Sequence, residues 1–359
     1  MKDNPDSDTL DLDISDILQQ DNLHTDQDKL EEIVQAYQEA IKLNPDDADS
    51  YYGLGNAYRY QEELAEATQA YQEAVKLNPN YIDAYNNLGV TLKEQGRFKE
   101  AIQAYQKAIE LNPEDADVYN NLGNVYRNQD QLEEAVQAYM KAIELNPDYV
   151  SAYNNLGITY RSQNQLEEAR KAYLRTIELD PDYINAYYNL GLVYVDQGNL
   201  EEAIQAYEKA VELNPEDTNA YDNLKMAYFN QGNESYQQGK LEEAIQAYEE
   251  AIKLNSDDAD ACNNLGDVYR QQGNLDLAIE LIQRAIELNP SNAEAYLNLG
   301  HVYIGQEKLE EAIQAYRQVF LIRASDDEGF KIRQSAAEAL KKLGTPESME
   351  ALKDYEVTQ

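Results

Sequence analysis

Across residues 116–149 the apolar and small positions fall into two helical stripes. Tyr119, Leu122, Gly123 and Tyr126 recur at i, i+3, i+4 and i+7, one face of a helix. After a polar break near Asp130, Leu132, Ala135, Tyr139 and Ala142 repeat that kind of spacing. Pro147 ends the second stripe and opens the next unit. The pattern predicts two short helices, A and B, joined by a turn. Neither can bury its stripe in an isolated hairpin, so neighbouring hairpins must stack.

The same pattern returns every 34 residues. Gly55, Gly89, Gly123, Gly157 and Gly191 mark the period; after one step of 41, Gly232, Gly266 and Gly300 resume it. Ala follows each Gly by 12 residues, from Ala67 to Ala312. Four residues further stands Tyr71, Tyr105, Tyr139, Tyr173, Tyr207, Tyr248, Ile282 or Tyr316. Small residues let the two helices approach closely, and Tyr fills the space beside them.

Tyr-x-x-Leu-Gly-x-x-Tyr followed by Ala, Tyr, Ala and Pro on a 34-residue frame resembles the tetratricopeptide repeat (TPR) family, which prefers Trp where this chain has Tyr51, Tyr85, Tyr119, Tyr153 and Tyr187. The resemblance covers about 48–324 and implies an all-α TPR superhelix, an α-solenoid of antiparallel helix pairs. The expected organisation is an acidic, disordered tail at 1–28 and a half repeat at 29–47. Repeats 1–5 fill 48–217 and repeats 6–8 fill 225–326. A seven-residue insertion at 218–224 extends a helix between them, and capping helices with a tail occupy 327–359. The stretch 218–238 fits both flanking registers: Tyr221 and Leu224 match the upstream frame, Tyr228 and Gly232 the downstream one.

Within each repeat, positions 4, 7, 8 and 11 share the core direction, so position 6 points away from it. Position 6 is Asn87, Asn121, Asn155, Asn189, Asn230, Asn264 and Asn298, with Gly53 in the first repeat. Asn is a poor helix former, so its recurrence calls for a reason. An Asn side chain both donates and accepts, and a row of them can pair with an extended peptide backbone. The row is similar to the asparagine ladder of the TPR domain in O-GlcNAc transferases; that likeness implies a concave peptide groove. The competing reading is solvated Asn carried along by copying.

Charge adds to the picture. With 68 acidic and 29 basic residues the chain carries a formal charge of −39, which opposes broad nucleic-acid binding. Yet position 12 is Arg59, Lys93, Arg127, Arg161 and Arg270 in five repeats. This basic column, with Asn56 and Asn124 at position 9, would engage acidic side chains or a free carboxylate; alternatively it only offsets repulsion. Around Tyr188, Leu192 and Val195, with Ile158, the same face turns apolar and suggests a specificity pocket. The family's chaperone-tail clamp is not expected, because positions 2 and 5 carry no Lys within 48–217.

Chemistry is scarce. His24 and His301 have no neighbouring metal-ligand spacing, and Cys262 takes a packing position. The expected function is therefore a non-catalytic, cofactor-free and metal-free scaffold or assembly factor for a protein or peptide partner. No nucleic acid or membrane insertion is expected. One Cys and no signal-peptide pattern suggest the cytoplasm. Two alternatives use the same features: a sensor of an anionic small ligand or nucleic-acid end, and a regulatory subunit that self-associates through 218–238 or the C-terminal helices. The acidic tail, rich in Asp, could itself fold over the basic column.

Overall fold

The computed structural model describes residues 23–322 and 327–357. The expected tail at 1–28 lies mostly outside these residues, but α1 already spans Leu23–Leu43 and so starts inside it. The described residues are helices joined by short turns, and they divide into two compact units, one up to Pro181 and the other from Asp182.

The first unit holds α1 and four A/B pairs. These are α2 (Ala48–Tyr60) with α3 (Leu64–Leu77), α4 (Ile82–Glu94) with α5 (Phe98–Leu111), α6 (Ala116–Asn128) with α7 (Leu132–Leu145), and α8 (Val150–Ser162) with α9 (Leu166–Leu179). Each A helix seats its Gly on the Tyr of its B helix. A Cβ built on Gly123 would stand 2.6 Å from Tyr139 Cε1, so any side chain there would force the helices apart. Tyr71, Tyr105 and Tyr139 are completely buried as a result. Asp115 caps α6 by accepting from the backbone N–H of Asp117 at 3.0 Å and of Val118 at 3.3 Å. Such a cap contributes about 1 kcal/mol.

Every A-to-B turn places one residue in the left-handed region. Gly fills this place at Gly96, Gly198, Gly239 and Gly273, but Glu62, Asp130, Asn164 and Glu307 occupy it at φ of 61°, 58°, 59° and 61°.

The second unit begins with α10 (Ile184–Gln197) and α11 (Leu200–Leu213). Next comes α12 (Thr218–Gln237), a 20-residue helix where other A helices have 13 or 14. It is followed by α13 (Leu241–Leu254), α14 (Ala259–Gln272), α15 (Leu275–Leu288), α16 (Ala293–Gly305) and α17 (Leu309–Leu321). Leu224 and Ala227 of α12 pack with Ala203 and Tyr207 of α11. Further along the same helix, Phe229 and Tyr236 pack with the cluster of Ala244 and Tyr248 on α13. The extra two turns thus let one helix serve the register of both neighbours.

Two further helices, α18 (Asp327–Leu343) and α19 (Pro346–Val357), cover the last repeat. Gly344 between them has φ of 63°, and Thr345 and Ser348 cap α19 reciprocally at 3.1 and 3.2 Å. The buried Arg333 guanidinium donates to the Phe320 carbonyl at 2.6 Å and closes the end of α17.

Candidate functional site

The repeated Asn doublets form bonds between repeats. Asn121 Nδ2 donates to Asn86 Oδ1 at 3.2 Å, and Asn155 Nδ2 donates to Asn120 Oδ1 at 3.1 Å. In the second unit Asn298 Nδ2 donates to Asn263 Oδ1 at 3.1 Å. In these three bonds the Asn at position 6 donates to the Asn at position 5 of the repeat upstream. Asn87, whose upstream neighbour has no doublet, donates to Asn56 Oδ1 at 3.0 Å and to the Tyr52 hydroxyl at 3.1 Å. Asn264 donates to Asn233 Oδ1 at 3.1 Å. These amides are half-buried or buried. The rungs thus have a structural use, which neither the peptide reading nor the copying reading supplied.

Position 9 faces inward as well as along the row. Asn56 Oδ1 accepts the Tyr71 hydroxyl at 2.7 Å, Asn124 Oδ1 that of Tyr139 at 2.8 Å, and Asn233 Oδ1 that of Tyr248 at 2.6 Å. Where position 9 is Val90, the buried Tyr105 hydroxyl has no partner among the described residues. Burial pushes these phenols upward, Tyr139 and Tyr248 both to about 12.

Two rungs depart from expectation. Gly53 holds the place of Asn because a Cβ there would lie 2.3 Å from the Tyr37 ring of α1. In α12 the residue that bonds upstream is Asn223, whose Nδ2 donates to the Tyr188 hydroxyl at 3.0 Å. Asn230, expected at position 6 of the peptide-facing row, is half-buried and makes no bond to the upstream repeat among the described residues. The first two turns of α12 keep the upstream register, so the upstream-facing Asn comes seven residues earlier. Asn189, the first of the second unit's row, is half-buried.

The basic column is concentrated in the first unit. Arg59, Lys93, Arg127 and Arg161 each stand in the last turn of an A helix, where a cation complements the helix dipole. All four are half-buried. Their charges reach the core phenols: Arg59 opposes the burial-driven rise at Tyr71, Arg127 that at Tyr139, and Arg161 that at Tyr173. Arg127 Nη1 lies 3.4 Å from Asn155 Oδ1. Arg59, Lys93 and Arg127 have no ion pair among the described residues. Cations elsewhere in the unit pair along their own helices, as in Lys76–Glu73 at 2.7 Å, Lys141–Glu144 at 2.8 Å and Arg170–Glu167 at 2.6 Å. Arg270, in the second unit, differs: Asp267 holds it at 2.6 Å and also accepts the Tyr236 hydroxyl.

The apolar positions are partly absorbed into packing. Tyr188 and Leu192 join the cluster around Tyr207 and Leu224, with the Tyr188 ring 6.1 Å from Tyr207. Val195 is exposed, at 39%, and Ile158 is half-buried. His301 stacks edge-on against Tyr316 at 5.7 Å, and burial lowers its pKa, which favours the neutral ring. The Cys262 thiol is buried, and burial pushes its pKa up. Among the described residues no group of His, Cys, Asp and Glu could hold a metal, and no helix is long and apolar enough to cross a membrane.

Comparison with known proteins agrees with the helix pairs. Tetratricopeptide models match residues 22–58, 55–96, 229–292 and 265–327. The model of the cilia and flagella-associated protein 70 C-terminal domain matches 81–255. No curated protein matches. Among solved structures, the C-terminal part of a TPR repeat-containing protein from Cytophaga hutchinsonii is 18% identical with a TM-score of 0.57, over 67% of this chain and 95% of that one. A crystal structure of MamA is 31% identical over 46% of this chain and 97% of that one, with a TM-score of 0.44. YrrB, described as a TPR protein with an unusual peptide-binding site, is 28% identical over 52% and 96%, also at 0.44.

Proposed function

Because this chain belongs to the tetratricopeptide-repeat proteins, a family of protein-interaction scaffolds, we propose that it is a non-catalytic scaffold whose first unit binds an extended acidic peptide or flexible terminus. The observation that carries this reading is the row of Arg59, Lys93 and Arg127 without ion pairs among the described residues. In a chain of net charge −39, cations with so many carboxylates available could be neutralised locally, as Arg270 is by Asp267. Leaving them unpaired on successive A helices supports acidic ligands.

The Asn row has a different part from the one its spacing suggested. One Nδ2 hydrogen of each bonded rung goes to the upstream repeat, so the row fixes the distance between repeats and hence between cations. At Asn121 and Asn155 the second Nδ2 hydrogen is left for a peptide carbonyl, whereas Asn87 spends both, on Asn56 and Tyr52. Asn87, Asn121 and Asn155 therefore position the column, Asn121 and Asn155 contribute secondary contacts, and Arg59, Lys93, Arg127 and Arg161 engage the acids.

The test is a library of extended peptides of graded charge, bound to the wild-type chain and to a variant with Arg59→Gln, Lys93→Gln and Arg127→Gln. Circular dichroism checks that both fold. Acidic peptides should bind best. The variant should lose about 10-fold or more, from three pairs at roughly 0.5–1 kcal/mol each. Equal binding by the variant, or no preference for acid, would remove the column from the function.

A further inference from the structure

We infer that the partner of the basic column is a proline-rich segment in polyproline II conformation, with an acidic residue at every third position. This rests on the acidic-peptide reading above and names the chemistry of that partner. Three observations on the first unit carry it.

The first is the pitch of the column. Arg59, Lys93 and Arg127 stand in the last turns of α2, α4 and α6, one per repeat. Amide pairs tie these helices side by side, Asn87 to Asn56 at 3.0 Å and Asn121 to Asn86 at 3.2 Å. Helices in such contact lie about 8–10 Å apart, so the three cations span roughly 16–20 Å. A polyproline II helix has three residues per turn and rises about 3.1 Å per residue, so a side chain returns to one side about every 9 Å. Acids at i, i+3 and i+6 therefore meet the three cations in order. A β-strand does not match this pitch, because its same-side residues recur at about 7 Å and then about 13 Å.

The second is the set of donors beside the column. Arg127 Nη1 lies 3.4 Å from Asn155 Oδ1, so the cations and the amide row share one surface. Asn121 and Asn155 each spend one Nδ2 hydrogen on the upstream repeat and keep the other. That hydrogen needs a free carbonyl. A partner helix with acids seven residues apart would also repeat at about 10 Å, but its carbonyls are bonded within the helix. A polyproline II segment has no internal hydrogen bonds, so its carbonyls are open.

The third is the shortage of acceptors. The amide oxygens of Asn56, Asn86, Asn120 and Asn155 already accept, from Asn87, Asn121, Asn155 and Arg127. A peptide N–H turned toward this row finds few oxygens to receive it. Proline has no N–H, and its fixed φ holds the segment in the binding conformation beforehand, which lowers the ordering cost.

The experiment uses the full-length chain and fluorescent dodecapeptides with blocked ends. Two share one composition of four Glu, four Pro and four Ala. One repeats Glu-Pro-Ala; the other places its Glu at every second residue. The Glu-Pro-Ala peptide should bind at least about 10-fold more tightly, since the other aligns fewer of its acids with cations. In the variant with Arg59→Gln, Lys93→Gln and Arg127→Gln, checked for folding by circular dichroism, that difference should vanish. A Glu-Gly-Ala repeat, which lacks the preset φ, should bind the wild type about 3-fold or more weakly than Glu-Pro-Ala. Equal binding of the two Glu spacings, both tighter than a Gln-Pro-Ala repeat, would overturn the inference and leave the acidic-peptide reading intact. No advantage of either over Gln-Pro-Ala would overturn both. Tighter binding by the Gly repeat, or by a helical peptide with Glu at every seventh residue, would overturn the polyproline II assignment.

Discussion

Asn87 Nδ2 lies 3.0 Å from Asn56 Oδ1, one repeat upstream, and the same oxygen accepts the Tyr71 hydroxyl at 2.7 Å. One amide oxygen thus ties a repeat's core to its neighbour.

The rungs differ in how much rests on them. Asn298→Ala removes the donor to Asn263 Oδ1, at a site where both residues are buried. A stranded buried acceptor costs about 1–3 kcal/mol, and the better helix propensity of Ala returns only about 0.5. Asn298→Ala should lose roughly 1–2 kcal/mol. Asn87→Ala should lose less, because Asn56 keeps Tyr71. Asn230→Ala removes no bond between repeats among the described residues and should be neutral or slightly stabilising. Urea midpoints of the three variants give the order; a loss at Asn230 equal to that at Asn298 would contradict it.

The core tyrosines invite a matched comparison. Tyr71, Tyr139 and Tyr248 each donate to a position-9 Asn, whereas Tyr105 packs with Val90 and its buried hydroxyl has no partner among the described residues. Replacing Tyr71, Tyr139 or Tyr248 with Phe should cost about 1 kcal/mol each, while Tyr105→Phe should cost nothing or stabilise. Val90→Asn should stabilise the wild type by about 1 kcal/mol and do nothing on a Tyr105→Phe background. Thermal melts of this double-mutant cycle measure the coupling directly.

The repeat frame was legible because its signal is redundant: Gly, Ala and Tyr recur together, and each helix pair lies where that spacing puts it. The use of the Asn doublet was not. A helical wheel treats one helix alone and sends position 6 outward. Only the adjacent repeat, absent from the wheel, reveals that Asn121 meets Asn86. The doublet itself was the available clue, since a donor in one copy needs an acceptor in the next. The part played by Asn223 was hidden for a related reason. In a helix serving two registers, spacing counted from Gly232 describes only the downstream half, and Asn223 answers to the upstream one. The exception at Gly53 depended on Tyr37, which stands on a helix outside the repeat frame.

The A-to-B turns carry removable strain. Glu62 and Glu307 sit at φ of 61° in a place that Gly fills elsewhere. A left-handed side-chain residue costs roughly 1–2 kcal/mol, and Gly returns part of that as unfolded-state entropy. Glu62→Gly and Glu307→Gly should each stabilise by about 0.5–1 kcal/mol. Asn164→Gly should gain less, because Asn tolerates this region better. Chemical denaturation separates these increments, and destabilisation by either Glu→Gly change would mean the side chain supports the turn in another way.

Alkaline pH should unfold the protein through its buried phenols. Tyr139 and Tyr248 are raised by burial from 10.0 to about 12, and burial also raises Tyr71, Tyr105, Tyr173 and Tyr316. The charged form is the disfavoured one in the folded state, so the folded value exceeds the unfolded value. The stability contribution is therefore whole below about pH 10 and declines as pH rises through 10 to 12, where the unfolded chain has released protons that the folded chain retains. Each core Tyr adds to the slope, so the loss should be steep. Ultraviolet titration should show the core phenols ionising together with loss of the helical circular dichroism signal. A smooth titration of all tyrosines near 10 with helicity retained would show that these rings are open to water.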